Sequence, residues 1–119
     1  HDDPNLYFAG QITGVEGYVE STACGMLIAW QIMARLNGQS FVAPPPESAF
    51  GALRRHLRGH GILSDYAPSN LNWSLFAPME KRRREKRREK RMRMAERAQG
   101  ALNGWWQDTA QEFLPASIR

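Results

Sequence analysis

Cysteine is almost missing from this 119-residue chain, which has a single one, Cys24. One thiol cannot close an internal disulfide, a usage that suits a cytoplasmic protein. Histidine is sparse too, with only His1, His56 and His60. These residues make no zinc-like spacing, so no metal is expected. No apolar run approaches ~18 residues free of charge, so no segment reads as a membrane span. The first residues are acidic and the first hydrophobic stretch contains Glu16 and Glu20, which is not a signal-peptide pattern. Acids are outnumbered where cations gather. Residues 80–119 carry twelve Lys/Arg against six acids, while residues 1–40 carry one Arg against four acids. The formal net charge of +4 therefore belongs to the C-terminal third. The hydrophobic content of 42% and charged content of 24% are those of a globular chain, and the length allows one small domain.

The segment from Pro4 to Gly25 says the most. Leu6–Ala9 is apolar at every position, which predicts a strand buried on both faces, as in a parallel sheet flanked by helices. Such a strand needs neighbours on both sides. No equally good strand follows it, and the chain begins with His1, so we expect a C-terminal piece of a longer α/β protein. A glycine-rich turn comes next, with Gly10, Gly14 and Gly17, and then a helix opening at Gly17-Tyr18. The spacing is not the GxGxxG dinucleotide fingerprint. Glycines still permit positive φ and close backbone approach, and a helix start offers free N–H groups and a partial positive charge. On spacing alone the turn is either structural or a cradle for a phosphate or an electron-rich cofactor edge. Glu16 and Glu20 offset the same dipole, which needs no ligand.

Further along, Tyr18–Leu36 reads as a helix apolar nearly all round and hence buried nearly all round, stopped by Asn37-Gly38. Pro44–Pro46 is a stiff connector. A second helix runs from an N-cap at Ser48 to Gly59, with Phe50, Leu53 and Leu57 as its buried stripe and His56 and His60 at its end. Residues 60–79 read as irregular, anchored to a core by Trp73, Leu75 and Phe76. A long helix is expected over about 79–110; from Glu80 to Arg91 it has no apolar residue, and Ala95, Ala98, Leu102, Trp105 and Phe113 restore the period. Trp105 and Trp106 read as core or docking residues, and Cys24 as packing.

The residues themselves carry a resemblance. AGQITGVEGYVESTACG resembles the C-terminal flavin-contact motif of the folate- and FAD-dependent tRNA (uracil-5-)-methyltransferases, the TrmFO family. PPPESAFGALRRHL, NLNWSLFAPM and KRRREKRREKR follow in that family's order. The related MnmG (GidA) family has a similar glycine–tyrosine block, but Val15-Glu16 and Val19-Glu20-Ser21 fit the methyltransferase better. The resemblance implies an α/β parent with a Rossmann-like FAD-binding domain. Residues 1–40 would be its last strand–turn–helix unit and residues 41–119 a helical extension. It further implies formation of 5-methyluridine in the T-loop of tRNA, with methylenetetrahydrofolate as carbon donor, FAD as intermediary and NAD(P)H as reductant. Gly10, Gln11, Gly14, Val15, Glu16, Gly17 and Tyr18 match the flavin-side motif. Gln11 would reach the ribityl–phosphate portion and Gly17-Tyr18 the pyrimidine edge, with Glu16 or Tyr18 near folate. The family's GxGxxG loop and catalytic cysteines do not occur here, so this chain holds no catalytic residue and is expected to be inactive alone. It departs from the family at Cys24, Glu47-Ser48 and Trp73-Ser74.

Lys81–Arg97 holds eleven of the sixteen Lys/Arg residues. Glu89 and Arg93 stand at i,i+4. The run is either a solvated, salt-laced helix or a track for tRNA phosphates. In the second reading Arg54, Arg55, Arg58, Lys81, Arg82, Arg83, Arg84, Lys86, Arg87 and Arg88 make the contacts. No aromatic residue interrupts the run, so base stacking is not expected there. A cofactor-free basic RNA-binding module remains the alternative from another class.

Overall fold

The computed structural model describes residues 3–59 and 68–109. Among them it contains a short 3-10 turn at Gln11–Thr13 and three α-helices, α1 (Tyr18–Leu36), α2 (Ala49–Leu57) and α3 (Arg87–Asp108). His60 and Phe113 lie outside the described residues.

The expected strand is absent. Leu6–Ala9 carries no strand, and Leu6 and Phe8 are 51% and 46% exposed. An apolar run specifies burial but cannot supply the strands that would pair with it. The segment is instead tied to α1 by Arg35. Its guanidinium donates to the Tyr7 hydroxyl (2.9 Å), to Asn5 Oδ1 (3.2 Å) and to the Pro4 carbonyl. The only β-type pairing among the described residues is an isolated parallel bridge between Val15 and Ser69.

Helix α1 has the expected bounds but not the expected burial. Cys24, Leu27, Trp30 and Ala34 form one buried face at helical spacing. Tyr18, Val19 and Leu36 on the rest of its circumference are 95%, 79% and 80% exposed. The described elements cover only one side of it. On that side Leu27, Trp30, Ala34 and Trp105 form the main core, with Phe41, Phe50, Leu102 and Trp106 against it. The Trp30 ring lies 5.3 Å from Phe50 and 5.4 Å from Trp105, both tilted. Trp105 Nε1 donates to the Val42 carbonyl at 3.0 Å, which satisfies its one polar atom.

Helix α2 begins where the sequence says, at a Ser48 cap whose Oγ accepts the Gly51 N–H at 3.0 Å. The same hydroxyl donates to the Pro45 carbonyl at 2.7 Å, so Ser48 locks the proline connector onto the helix start. Gly51 lies against that connector. A Cβ there would fall 1.9 Å from the Pro45 oxygen.

Helix α3 starts eight residues later than expected. Four consecutive cations, Lys81–Arg84, would crowd the first two turns of a helix begun near 79, close to the positive end of its dipole and with Lys81 and Arg84 on one face. The chain turns instead, with Arg84 at φ 62°. Glu85, buried, folds back to accept the Arg82 N–H (3.0 Å), and Glu89 accepts the Lys86 N–H (2.8 Å) to start the helix. Arg93 therefore pairs with Glu85, not with Glu89. The fork is bidentate, Nε to Oε1 at 2.6 Å and Nη2 to Oε2 at 2.9 Å.

Residues 75–80 form no helix or strand, and three arginines occupy their carbonyls. Arg55 donates to Leu75 (2.6 Å) and Phe76 (3.3 Å), Arg97 to Ala77 and Pro78, and Arg93 to Glu80 (3.0 Å).

Candidate cofactor site

The three glycines of the turn all take positive φ: 81° at Gly10, 98° at Gly14 and 98° at Gly17. A side chain would be strained at each. Between them Thr13 folds back, its N–H and hydroxyl both donating to the Gly10 carbonyl at 2.9 Å and 2.6 Å. The turn is fastened from outside by two distant segments. Glu16 N–H donates to the Ser69 carbonyl (3.1 Å) and Ser69 N–H to the Gly14 carbonyl (3.2 Å). His56 reaches across from α2, its Nε2 3.2 Å from the Gly14 carbonyl. A carbonyl only accepts, so this contact requires the proton on Nε2. Beneath it Val15, Cys24 and Leu53 make a small fully closed cluster.

Four of the seven motif residues meet around one open cavity of ≈ 400 Å³: Gln11, Glu16, Gly17 and Tyr18, joined by Ser21 and Asn70. Gly10 sits beside Ser21, and Gly14 and Val15 are buried behind the cavity as its frame. Helix α1 opens into it with no side chain capping its N-terminus. The free N–H groups of its first turn carry a partial positive charge, with Glu16 in the lining and the Glu20 carboxylate beside Gly17 to offset it. Two side chains brace the rim: Asn70 Nδ2 donates to the Glu16 carbonyl (2.8 Å), and Glu20 accepts the Leu71 N–H (2.8 Å). A Cβ on Gly17 would meet the Glu20 carboxylate at 2.5 Å and Asn70 Nδ2 at 2.7 Å. The glycine therefore lets Glu20 and Asn70 close against the turn, beside the uncapped N–H groups with which α1 opens onto the cavity.

Sequence reasoning missed Asn70, Ser21 and His56 here. His56 stands near the end of α2, and nothing local marks a contact spanning 42 residues. Cys24 is buried, with its sulfur 3.6 Å from the Thr13 hydroxyl, as packing requires.

The cations expected to contact phosphate divide. Arg58, Lys81–Arg84 and Lys86–Arg88 are exposed. Arg55 is committed to the carbonyls of residues 75 and 76. Arg54 faces a smaller, half-open cavity beside Cys24 and Leu57. Burial, and then the neighbouring Arg58, lower its pKa. Trp73, expected in a core, is 38% exposed and stands against α3 instead. The described residues hold no cluster of potential metal ligands and no helix long and apolar enough to cross a membrane.

A cofactor-binding protein is the class this turn and helix start suggest, and the first forty residues match the family model described as Glucose inhibited division protein A. Over nearly the whole chain the similarity is to proteins named methylenetetrahydrofolate-tRNA-(uracil-5-)-methyltransferase TrmFO. The chain is 50% identical over 105 residues to the one from Myxococcus xanthus, covering 87% of this chain and 22% of that protein. It is 47% identical over 116 residues to that of Anaeromyxobacter dehalogenans (strain 2CP-1), covering 96% and 25%. It is 49% identical over 105 residues to that of Syntrophotalea carbinolica, covering 88% and 22%. The resemblance read from the motifs thus holds across the chain, which spans about a quarter of the length of these relatives.

Proposed function

We propose that this chain is the C-terminal portion of a flavin-dependent tRNA methyltransferase that forms 5-methyluridine in the T-loop. The identity of 50% over 105 residues to a protein named for that uracil-5 methylation carries the reading. In it, residues 1–40 close a Rossmann-like FAD-binding domain and residues 41–119 are a helical extension. FAD, when bound, supplies the redox chemistry that links NAD(P)H to the one-carbon unit of methylenetetrahydrofolate. This chain's own part is to hold and polarise. The open N-terminus of α1 at Gly17-Tyr18 offers N–H donors to the electron-rich edge of the flavin. The Gln11 amide serves the ribityl–phosphate portion, and Gly10, Gly14 and Val15 keep the turn in shape. Glu16 and Tyr18, on the same cavity, are placed for folate. Nucleophile and dinucleotide loop belong to the rest of the protein, and the site of action is the cytoplasm.

The test is direct. The natural full-length protein should purify with a flavin absorption band. Given methylenetetrahydrofolate and NAD(P)H, it should convert a tRNA transcript to one containing 5-methyluridine at a single T-loop position. A colourless protein, or a flavoprotein that leaves the transcript unmodified, overturns the proposal. The match of residues 1–40 to the division-protein family favours a second reading, modification of the wobble uridine. Locating the modified uridine in the tRNA separates the two.

A further inference from the structure

The sequence places no aromatic residue within the basic run, but the fold brings two to it. Trp73 and Phe76 pack together with ring centroids 5.6 Å apart, and the Arg91 guanidinium carbon stands 5.9 Å from the Trp73 centroid. They line an open cavity of ≈ 410 Å³ against α3, with Met94 in its lining and Arg87, Lys90 and Arg91 around it. That volume lies in the range of ligand pockets, roughly 300–1,000 Å³. Three cations line it and no acid does. Trp73 keeps 38% of its surface in solvent, while Arg55, Arg93 and Arg97 fasten the backbone just after it. The Arg91 guanidinium stands over one face of the Trp73 ring, so the platform is reached through its remaining exposed surface and is held in place.

We propose that this cavity takes one unpaired nucleotide of an RNA, its base stacked on Trp73 and its phosphate on Arg87 and Lys90. A ligand suited to it must be aromatic and anionic at once, as a nucleotide is. A polymer fits better than a small anion, because exposed cations continue beyond the cavity at Arg88, Lys86 and Lys81–Arg84. The assignment rests on the tRNA-modifying reading and adds a base-stacking contact to a surface otherwise able only to bind backbone.

The test is binding of the natural full-length protein to a tRNA transcript and to a single-stranded RNA oligomer over a salt series. W73A should weaken both by roughly 5- to 100-fold with an unchanged salt slope. W73F, which keeps a ring, should stay within about threefold of wild type. R87Q and K90Q should each flatten the oligomer's log–log salt slope by about 0.7. Retained flavin content reports that each variant is folded. W73A binding both RNAs like wild type overturns the proposal while leaving the tRNA reading intact. A wild-type flavoprotein that binds neither RNA overturns both. If W73A instead weakens tetrahydrofolate binding and leaves RNA binding alone, the cavity belongs to that smaller ligand and the proposal fails.

Discussion

Replacing Gly51 by alanine should unfold this region more readily, although alanine is the better helix former. In an open helix interior the exchange stabilises by about 1 kcal/mol. At Gly51 the new Cβ would lie 1.9 Å from the Pro45 oxygen, 2.5 Å from its carbon and 2.8 Å from Pro46 Cα. All three are backbone atoms, so no side chain can swing away. Relief requires moving the proline connector, which costs about 1–3 kcal/mol in repacking. It also disturbs two bonds to the Pro45 carbonyl, from Ser48 N–H (3.0 Å) and Ser48 Oγ (2.7 Å), at about 1 kcal/mol each. Set against the propensity gain, the net loss is about 2–4 kcal/mol. Because α2 carries Leu53 and His56 to the glycine turn, flavin affinity should fall as well. Urea titration followed by tryptophan fluorescence reads the stability, and visible absorbance reads the flavin. The controls are G100A and G104A in α3, where a Cβ meets nothing within 4 Å; each should be neutral or stabilising by up to about 1 kcal/mol. A G51A variant as stable as G100A would refute the packing argument.

Gly17→Ala adds a side chain at φ 98° and crowds Glu20 and Asn70, at a backbone cost of about 1–3 kcal/mol. It should lower bound flavin per protein several-fold while leaving the far-ultraviolet dichroism unchanged; full flavin occupancy would remove Gly17 from the site. The Arg93 fork, with the Arg82 N–H assisting, holds the Glu85 carboxyl at about 2, below its ordinary 4.5. The folded value is the depressed one, so this contribution is complete above pH 4.5 and is lost as pH falls towards 2. Protection of the α3 amides near residue 89 against hydrogen exchange should drop across that window more steeply in wild type than in E85Q, which keeps the Glu89 contact; parallel curves would show that the pair does not hold the helix start. Cys24 should resist iodoacetamide in the folded protein and react only on unfolding, because it is 1% exposed. Rapid labelling of the native protein would contradict its place in the core.

What could be read from the sequence was what is punctuated locally. Gly17 before α1, Asn37-Gly38 after it and Ser48 before α2 each act within a few residues, and those boundaries were legible. Gln11, Glu16, Gly17 and Tyr18 come to one cavity for the same reason, because they share one turn and one helix start. What escaped depends on partners far along the chain. His56 to Gly14 and Asn70 to Glu16 span 42 and 54 residues. The Leu6–Ala9 segment failed as a strand because apolarity encodes a wish for burial and not the pairing that grants it. The start of α3 was misplaced because hydrophobic period says nothing about a stretch without apolar residues. There the decision fell to charge, with four cations repelled from a helix start that Glu85 and Glu89 then supplied.

The arginines show how one composition serves two purposes. A guanidinium offers five donors in a rigid plane, so a single one can satisfy two adjacent carbonyls. Residues 75–80 have no helix or strand to occupy their carbonyls, and unmade bonds there would cost free energy wherever water is excluded. Arg55 and Arg97 each bridge two successive carbonyls, and Arg93 spans Glu80 and the Glu85 carboxylate. A lysine at these three positions would keep the charge and lose the fork. The exposed cations at 81–84 and 86–88 have no such geometric demand, and lysine already stands among them at 81 and 86. Arginine-to-lysine exchange should therefore be damaging at 55, 93 and 97 and mild at 82–84, 87 and 88. Net charge is identical in every case, so only the difference between a brace and a field can separate the two groups.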